Sequence, residues 1–470
     1  MNLEEFNIIE SKSEKIGIDM LQLMEKIFPI CRSITGNGVR QTLKILREQI
    51  PLEIHEVTTG TRVFDWTIPK EWNINDAYII DPDGEKIVDF KKSNLHVLNY
   101  SIPINQKISL SELKNHVHTI PEKPDLIPYV TSYYSERWGF CMEHNKFLKL
   151  KEGEYHVVID SELSYGSLTY GEYLIPGKTE NEILLSCYVC HPSMCNDNLS
   201  GVVLLTMLLK YLKNLKLNYS IRFLFIPETI GAITWLAQNE DKLSKIKHGL
   251  IVTCVGDSGV LTYKKTRNGN SQIDHTVEKV LKKYFPKHRI LDFFPWGSDE
   301  RQFCSPGFDL PVGSLLRSIY GKDEFPEYHT SGDNLEFMNR KSLSESFMSY
   351  LMVLFELEKS FEKDSLEFPV RKNLKNDIEF SEINKKEKYL NLNPKCEPQL
   401  GKRGIYHELG GQENLMEQRK IEFAIFWILN LSDGNWTIQD ISKRSNIPIE
   451  EIQKAKEILI NAKLLQKIES

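Results

Sequence analysis

The segment Cys187-Tyr-Val-Cys190-His191-Pro-Ser-Met-Cys195-Asn-Asp197-Asn-Leu-Ser-Gly201 puts an imidazole and a carboxylate into one loop. Before it, Ile183 to Val189 is an unbroken apolar run that predicts a fully buried strand. After it, Leu204, Leu205, Leu208, Leu209 and Leu212 recur at helical spacing. Open α/β sheets hold their ligands just beyond the carboxyl ends of the strands. His191 and Asp197 therefore fall where a hard or borderline cation can be bound.

Later strand patterns end in the same way. Ile221 to Ile226 runs into Pro227-Glu228-Thr-Ile-Gly231, and Leu250 to Val255 into Gly256-Asp257-Ser258. Gly297-Ser-Asp299-Glu-Arg301 and Tyr328-His329-Thr-Ser-Gly-Asp333 lie in loops rich in Gly and Pro. A single Asp after a strand is more often a helix cap or turn residue. A series that delivers His191, Asp197, Glu228 and Asp257 to one sheet edge is harder to assign to capping. Two histidines with up to three carboxylates make a typical zinc-hydrolase set of ligands and base.

Cys187-Tyr-Val-Cys190-His191 also fits the C-x-x-C-H pattern of covalent haem attachment. Cys187 lies inside a strand pattern packed on both faces, and Met-Asn-Leu-Glu-Glu at the start has no basic, apolar export signal. Haem is therefore set aside, and Cys187 and Cys190 read as small buried hydrophobes. Zinc held by Cys187, Cys190 and Cys195 is a weaker reading, because no second Cys-x-x-Cys pair closes a four-sulfur site.

The elements that must position these residues fall into blocks. Met20, Leu21, Leu23, Met24, Ile27 and Phe28 form one helical stripe, Gly36-Asn-Gly38 breaks it, and a second helix runs through Leu43 and Leu46. From Val63 the texture changes to short strands, aromatics and turns, with Asp81-Pro-Asp-Gly84 as a hairpin signal. The expected division is an α/β domain over 1–62 and 143–365, an inserted β-rich domain over 63–142, a linker over 366–420 and a winged-helix-like domain over 421–470. Arg371 to Lys386 is the most polar part of the linker, and Leu464 to Ile468 reads as a wing strand. Thr437 and Asp440 have the spacing of a helix start.

The last block carries six basic residues against seven acidic ones, a net of −1, where a phosphate-binding surface is clearly basic. It reads as a packing or protein-contact module, dispensable for the chemistry. The whole chain of 470 residues has a net charge of −6, which argues against general affinity for nucleic acid or anionic membranes. Eight cysteines without paired spacing fit reduced thiols and a cytoplasmic location.

The site residues together resemble the co-catalytic zinc aminopeptidase family, which also includes the glutaminyl cyclases. The shared features are a strand-end His (His191), Asp197-Asn-Leu-Ser-Gly201, Glu228-Thr-Ile-Gly231, a strand-end Asp (Asp257), Ser298-Asp299-Glu300 and Tyr328-His329, in that order. Val63-Phe-Asp-Trp-Thr-Ile-Pro69, Ser132-Tyr-Tyr134, Trp138-Gly-Phe-Cys141 and Glu397-Pro-Gln-Leu-Gly-Lys-Arg403 resemble a bacterial aminopeptidase-like group. Members of that group carry an inserted β domain and a C-terminal winged helix, often beside surface-polysaccharide genes.

The resemblance implies a three-layer αβα sandwich with a mixed sheet. It also implies that Asp197 bridges two metals, with His191 and Asp257 completing one site, His329 serving the other and Glu228 as general base. Two positions depart from the pattern: Thr229 stands where the family has a second Glu, and Ser193 where it has an Asp. The expectation is one tightly held zinc with a weaker second ion. Asp299 and Arg301 would order the site or meet a charged end of the substrate. Tyr133 and Trp138 would line its pocket, although aromatics in such numbers are more often core. The expected activity is hydrolysis of a small peptide or amide by a soluble protein that can self-associate. The alternatives are a degenerate family member that binds or regulates, and an amidohydrolase acting on a sugar-linked amide.

Overall fold

Strands buried at every position must have both faces covered, and Glu182–Tyr188 and Ser220–Ile226, which lead to the site, are of this kind. The computed structural model describes residues 1–320, 324–364, 387–406 and 416–468. Its main sheet has eight strands: β1 (Glu53–Thr58), β2 (Ser167–Ile175), β3 (Glu182–Tyr188), β4 (Ser220–Ile226), β5 (Ile246–Val252), β6 (Leu261–Lys264), β7 (His288–Leu291) and β8 (Val312–Leu316). They are ordered β1-β2-β4-β3-β5-β8-β6-β7. β4, β3, β5 and β8 run parallel, β6 and β7 run parallel to each other, and the remaining neighbours are antiparallel, so the sheet is mixed.

Leu185, Cys187, Phe223, Phe225, Leu250 and Val252 meet the helices Ser13–Ile27, Asn37–Arg47, Ser200–Leu212, Gln272–Tyr284 and Arg340–Asp364 on one face. Leu184, Leu224, Ile226 and Ile251 face the opposite layer, which contains Ile230–Gln238 and the inserted unit. This is the expected three-layer αβα sandwich.

Two domain boundaries differ from expectation. The insert's antiparallel sheet is ordered Lys86–Asp89, Glu71–Ile80, Glu154–Ser164, Ile104–Ser109. Glu154–Ser164 pairs along most of Glu71–Ile80, so the unit closes near 164 and not at 142. Alternating apolar residues mark a strand without naming its partner. The Asp81–Gly84 turn forms, with Asp81 Oδ1 accepting the N–H groups of Asp83 and Glu85.

At the other end, Lys388–Asn391 is the central strand between Asp433–Thr437 and Leu465–Lys467. The winged unit thus begins near 387, inside the expected linker. Arg371 to Lys386 lies outside the described residues. The Thr437–Asp440 capping box opens the helix Ile438–Ser445.

The C-terminal unit is docked on the α/β domain. Arg267 donates to Asn430 O and Oδ1 and to Asp433, Trp296 stacks on Phe423 with ring centroids 5.0 Å apart, and Cys396 N–H donates to Ser305 Oγ. These contacts argue against dispensability: the module covers apolar surface and brings a charged residue, Glu397, to Arg301. Among the described residues no helix is long and apolar enough to cross a membrane.

Candidate metal centre

β3 ends at Tyr188, and the chain after it is clamped from two sides. Fully buried Arg32 donates to His191 O at 2.7 Å and Pro192 O at 2.8 Å. Asp333 accepts the backbone N–H groups of Cys195, Asn196 and Asp197 at 3.1, 2.6 and 2.9 Å. The loop that carries the first two donors is thereby fixed before any ligand arrives.

β4 ends at Ile226, Pro227 and Glu228 follow it, and the next residue, Thr229, takes φ +59° with its N–H on Asp299 Oδ1 at 2.7 Å. His329 takes φ +54°, its ring stacked on Tyr328 with centroids 3.8 Å apart. Left-handed backbone at Thr229, Cys254 and His329 is strained for residues with a Cβ, and such strain gathers at functional sites.

These elements bring His191, Asp197 and His329 together, with one donor atom from each lying within 4.8 Å of the others. Asp197 Oδ2 is 3.1 Å from His329 Nε2 and 3.7 Å from His191 Nε2. Glu228 Oε2 lies 3.8 Å from His191 Nε2, and its side chain is 25% exposed against 6% for His191 and 1% for Asp197. Asp197 Oδ2 and His329 Nε2 are buried and make no hydrogen bond. A cation between them would satisfy both, so the residues present fit a zinc-type ion.

Burial holds the His191 imidazole down at about 4, in the neutral form that ligates a metal. For Asp197, burial pushes the carboxyl up, but the adjoining His191 and His329 rings and the hydrogen bond from Tyr188 outweigh it and bring it to about 2. Burial, with the Asp299 and Asp197 carboxylates nearby, raises Glu228 well above the carboxylate range. Burial also lifts Asp299 to about 7, despite the Thr229 N–H and the Arg301 charge.

The other expected residues are placed as follows. Asp257 is not in the cluster: its carboxylate is used by Asn196 Nδ2 at 2.8 Å, Ser318 Oγ at 2.6 Å and Gly259 N–H at 2.6 Å, so it braces two loops. Thr253, the residue directly after β5, places its Oγ1 2.7 Å from the Tyr188 hydroxyl, which in turn donates to Asp197 Oδ1. Arg301 pairs with Glu397 at 2.8 Å, approaches Thr229 Oγ1 at 3.4 Å and lies over the Phe426 ring. Tyr133 shares a 2.8 Å hydroxyl contact with Tyr129, whose ring sits 5.3 Å from that of His191 and 5.2 Å from that of His329. Trp138 stacks on His116 at 3.6 Å, within the insert.

Sequence reasoning passed over Arg32, Tyr188, Thr253 and Glu397. Glu397 and Tyr188 each lay in a phrase already singled out, but neither residue type drew notice there.

Fold and donor set together define a class: a zinc-aminopeptidase-type αβα sandwich with two histidines and one carboxylate at the sheet edge. The chain belongs to the family described as a domain of unknown function, DUF4910, whose model matches residues 21–360, and residues 387–467 match a winged helix-turn-helix model. It is 53% identical, over 99% of its length and 100% of the relative's, to a Clostridium acetobutylicum protein whose name proposes a role in polysaccharide biosynthesis and an aminopeptidase-like domain. A crystal structure of a proposed peptidase from that organism superposes with TM-score 0.75 at 52% identity, covering 99% of this chain and 100% of that one. BSAP, a zinc aminopeptidase from Bacillus subtilis, shares the fold with TM-score 0.54 at 13% identity, covering 73% of this chain and 94% of that one.

Proposed function

We propose that the protein is a zinc-dependent hydrolase of an amide bond, aminopeptidase-like in its chemistry. The observation that carries this reading is the His191–Asp197–His329 cluster, with the Glu228 carboxyl 3.8 Å from a ligating ring. Held by His191, Asp197 and His329, a zinc ion would supply Lewis acidity, polarising a carbonyl and acidifying water toward a pKa of ~7. Glu228 is the group within reach to take the proton from water and hand it to the departing amine. His191 and His329 supply neutral nitrogen donors, and Asp197 supplies the single anionic one. Asp299 fixes the Thr229 backbone and so aims Glu228. The small-peptide or amide substrate follows from the shared fold of zinc aminopeptidases. The relative's proposed role in polysaccharide biosynthesis favours a sugar-borne amide as the second reading.

The test is metal analysis of protein purified without chelator, with His329→Ala beside it, followed by a screen of aminoacyl and N-acyl amides. Zinc in the wild type, lost in the variant, together with turnover is the expected result. Metal that survives His329→Ala would sink the site. Bound zinc without turnover on any amide would favour a binding or regulatory protein.

A further inference from the structure

We infer that the centre takes one metal ion only, because the hydroxyls of Tyr188 and Thr253 occupy the side of Asp197 that a second ion would need. The inference rests on the metal centre proposed above and concerns its stoichiometry. The two oxygens of Asp197 do different things. Oδ2 faces both imidazoles and makes no hydrogen bond. Oδ1 accepts a hydrogen bond from the Tyr188 hydroxyl, which lies 2.7 Å from Thr253 Oγ1. Tyr188 is 3% exposed and Thr253 is fully buried, so this side of Asp197 is filled by protein.

A second cation bridged by Asp197 would have to displace the Tyr188 proton from Oδ1 and then find further donors. Dications are normally held by anionic oxygen, thiolate or imidazole, and the nearest groups here are two neutral hydroxyls. The carboxylates that might turn inward are committed elsewhere. Asp257 is held by Asn196, Ser318 and Gly259, and Asp333 by three backbone N–H groups. On the His191 side, Ser193 Oγ donates to Phe28 O at 2.7 Å and also receives Asn94 Nδ2 at 2.8 Å. One dication with Asp197 leaves a local charge of +1; a second would leave +3, with only part-exposed Glu228 and Asp299, whose Oδ1 is held by Thr229 N–H, as further carboxylates. Tyr188 is thus a positioning residue: it makes Asp197 a terminal ligand and keeps Oδ2 aimed at the two histidines.

The experiment is titration of the metal-stripped full-length protein with Zn²⁺, read by calorimetry and elemental analysis, and with Co²⁺, read by visible absorption. Wild type is expected to saturate at one ion per chain. Tyr188→Phe should also saturate at one, but with zinc affinity about 10- to 100-fold weaker and a shifted Co²⁺ spectrum, as for the loss of an outer partner of a ligand. Adding Thr253→Asp to Tyr188→Phe places a carboxylate beside the freed Oδ1 and should raise the stoichiometry to two. Two ions in the wild type, unchanged zinc affinity in Tyr188→Phe, or a folded double variant that stops at one ion would each overturn the inference. Should the double variant not fold, the first two measurements still decide. Two ions in the wild type leave the proposed metal centre standing, whereas no binding at all removes both.

Discussion

Asp333 spends its carboxylate on three successive N–H groups, and these belong to the segment ending in the proposed ligand Asp197. Replacing it with Ala frees buried donors and loosens the loop, so Asp333→Ala is expected to weaken zinc binding about 10- to 100-fold, measured by competition with a chelator. Glu228→Gln is nearly isosteric and should keep the ion while lowering turnover ~10²-fold or more. If metal falls together with rate in that variant, Glu228 is a ligand and not the base. These roles differ in how visible they were beforehand. Glu228, Asp197 and His329 sit in contiguous motifs whose residue types announce chemistry. Asp257 looked equivalent, but distance along a loop does not say which of the residues from Thr253 to Asp257 turns inward. Tyr188 was hidden for the opposite reason: an apolar run conceals a phenol that packs as core and works through its hydroxyl.

At the level of elements, the loop from Ser298 to Arg301 is anchored by a fully buried ion pair, Lys264 with Glu300, which also takes Ser314 Oγ at 2.8 Å. Lys264→Met would leave the Glu300 charge uncompensated in the interior, a loss of about 3–5 kcal/mol. Thermal unfolding of Lys264→Met should show it, and adding Glu300→Leu should recover most of it; equal loss in the double variant would mean that packing, not charge, is at stake. The insert is tied to the α/β domain by Arg40 and Glu71, the latter reinforced by Asn73 and by Ser167 N–H. The Arg40 hydrogen bonds hold the Glu71 carboxyl down at about 2. A depressed folded-state value means that the stabilisation is complete above the unfolded value of ~4.3 and is lost as pH falls through about 2. Glu71→Gln should therefore lower the melting temperature at pH 7, with the gap to wild type closing between pH ~5 and ~2. The strands of the main sheet were legible because doubly buried strands read as apolar runs. Glu154–Ser164 and Lys388–Asn391 were not placed, since pairing partners far away in sequence decide where such strands belong.

Across the whole molecule, the site is assembled from three units: the α/β sheet edge brings the donors, the insert brings Tyr129 and Tyr133, and the C-terminal unit brings Glu397 against Arg301. Net charge argues against a phosphate-binding role for that last unit, but it could not reveal the docking. Three basic side chains of the unit are engaged: Arg444 donates to Arg267 O, Lys467 pairs with Glu387, and Lys456 lies 3.1 Å from Glu457. Cutting the chain before 387 would strip Phe423 from Trp296, the Asn430 and Asp433 acceptors from Arg267, and Glu397 from Arg301. A large apolar surface would then face water, and a buried guanidinium would lose its ion-pair partner beside Thr229. The truncated protein is expected to bind a hydrophobic dye, to melt well below the full chain and to aggregate on concentration. The full chain should show no salt-sensitive binding to duplex DNA, because the module carries a net charge of −1 over 421–470. A truncated protein that melts with the full chain and retains its metal would return the C-terminal unit to the status of an appendage.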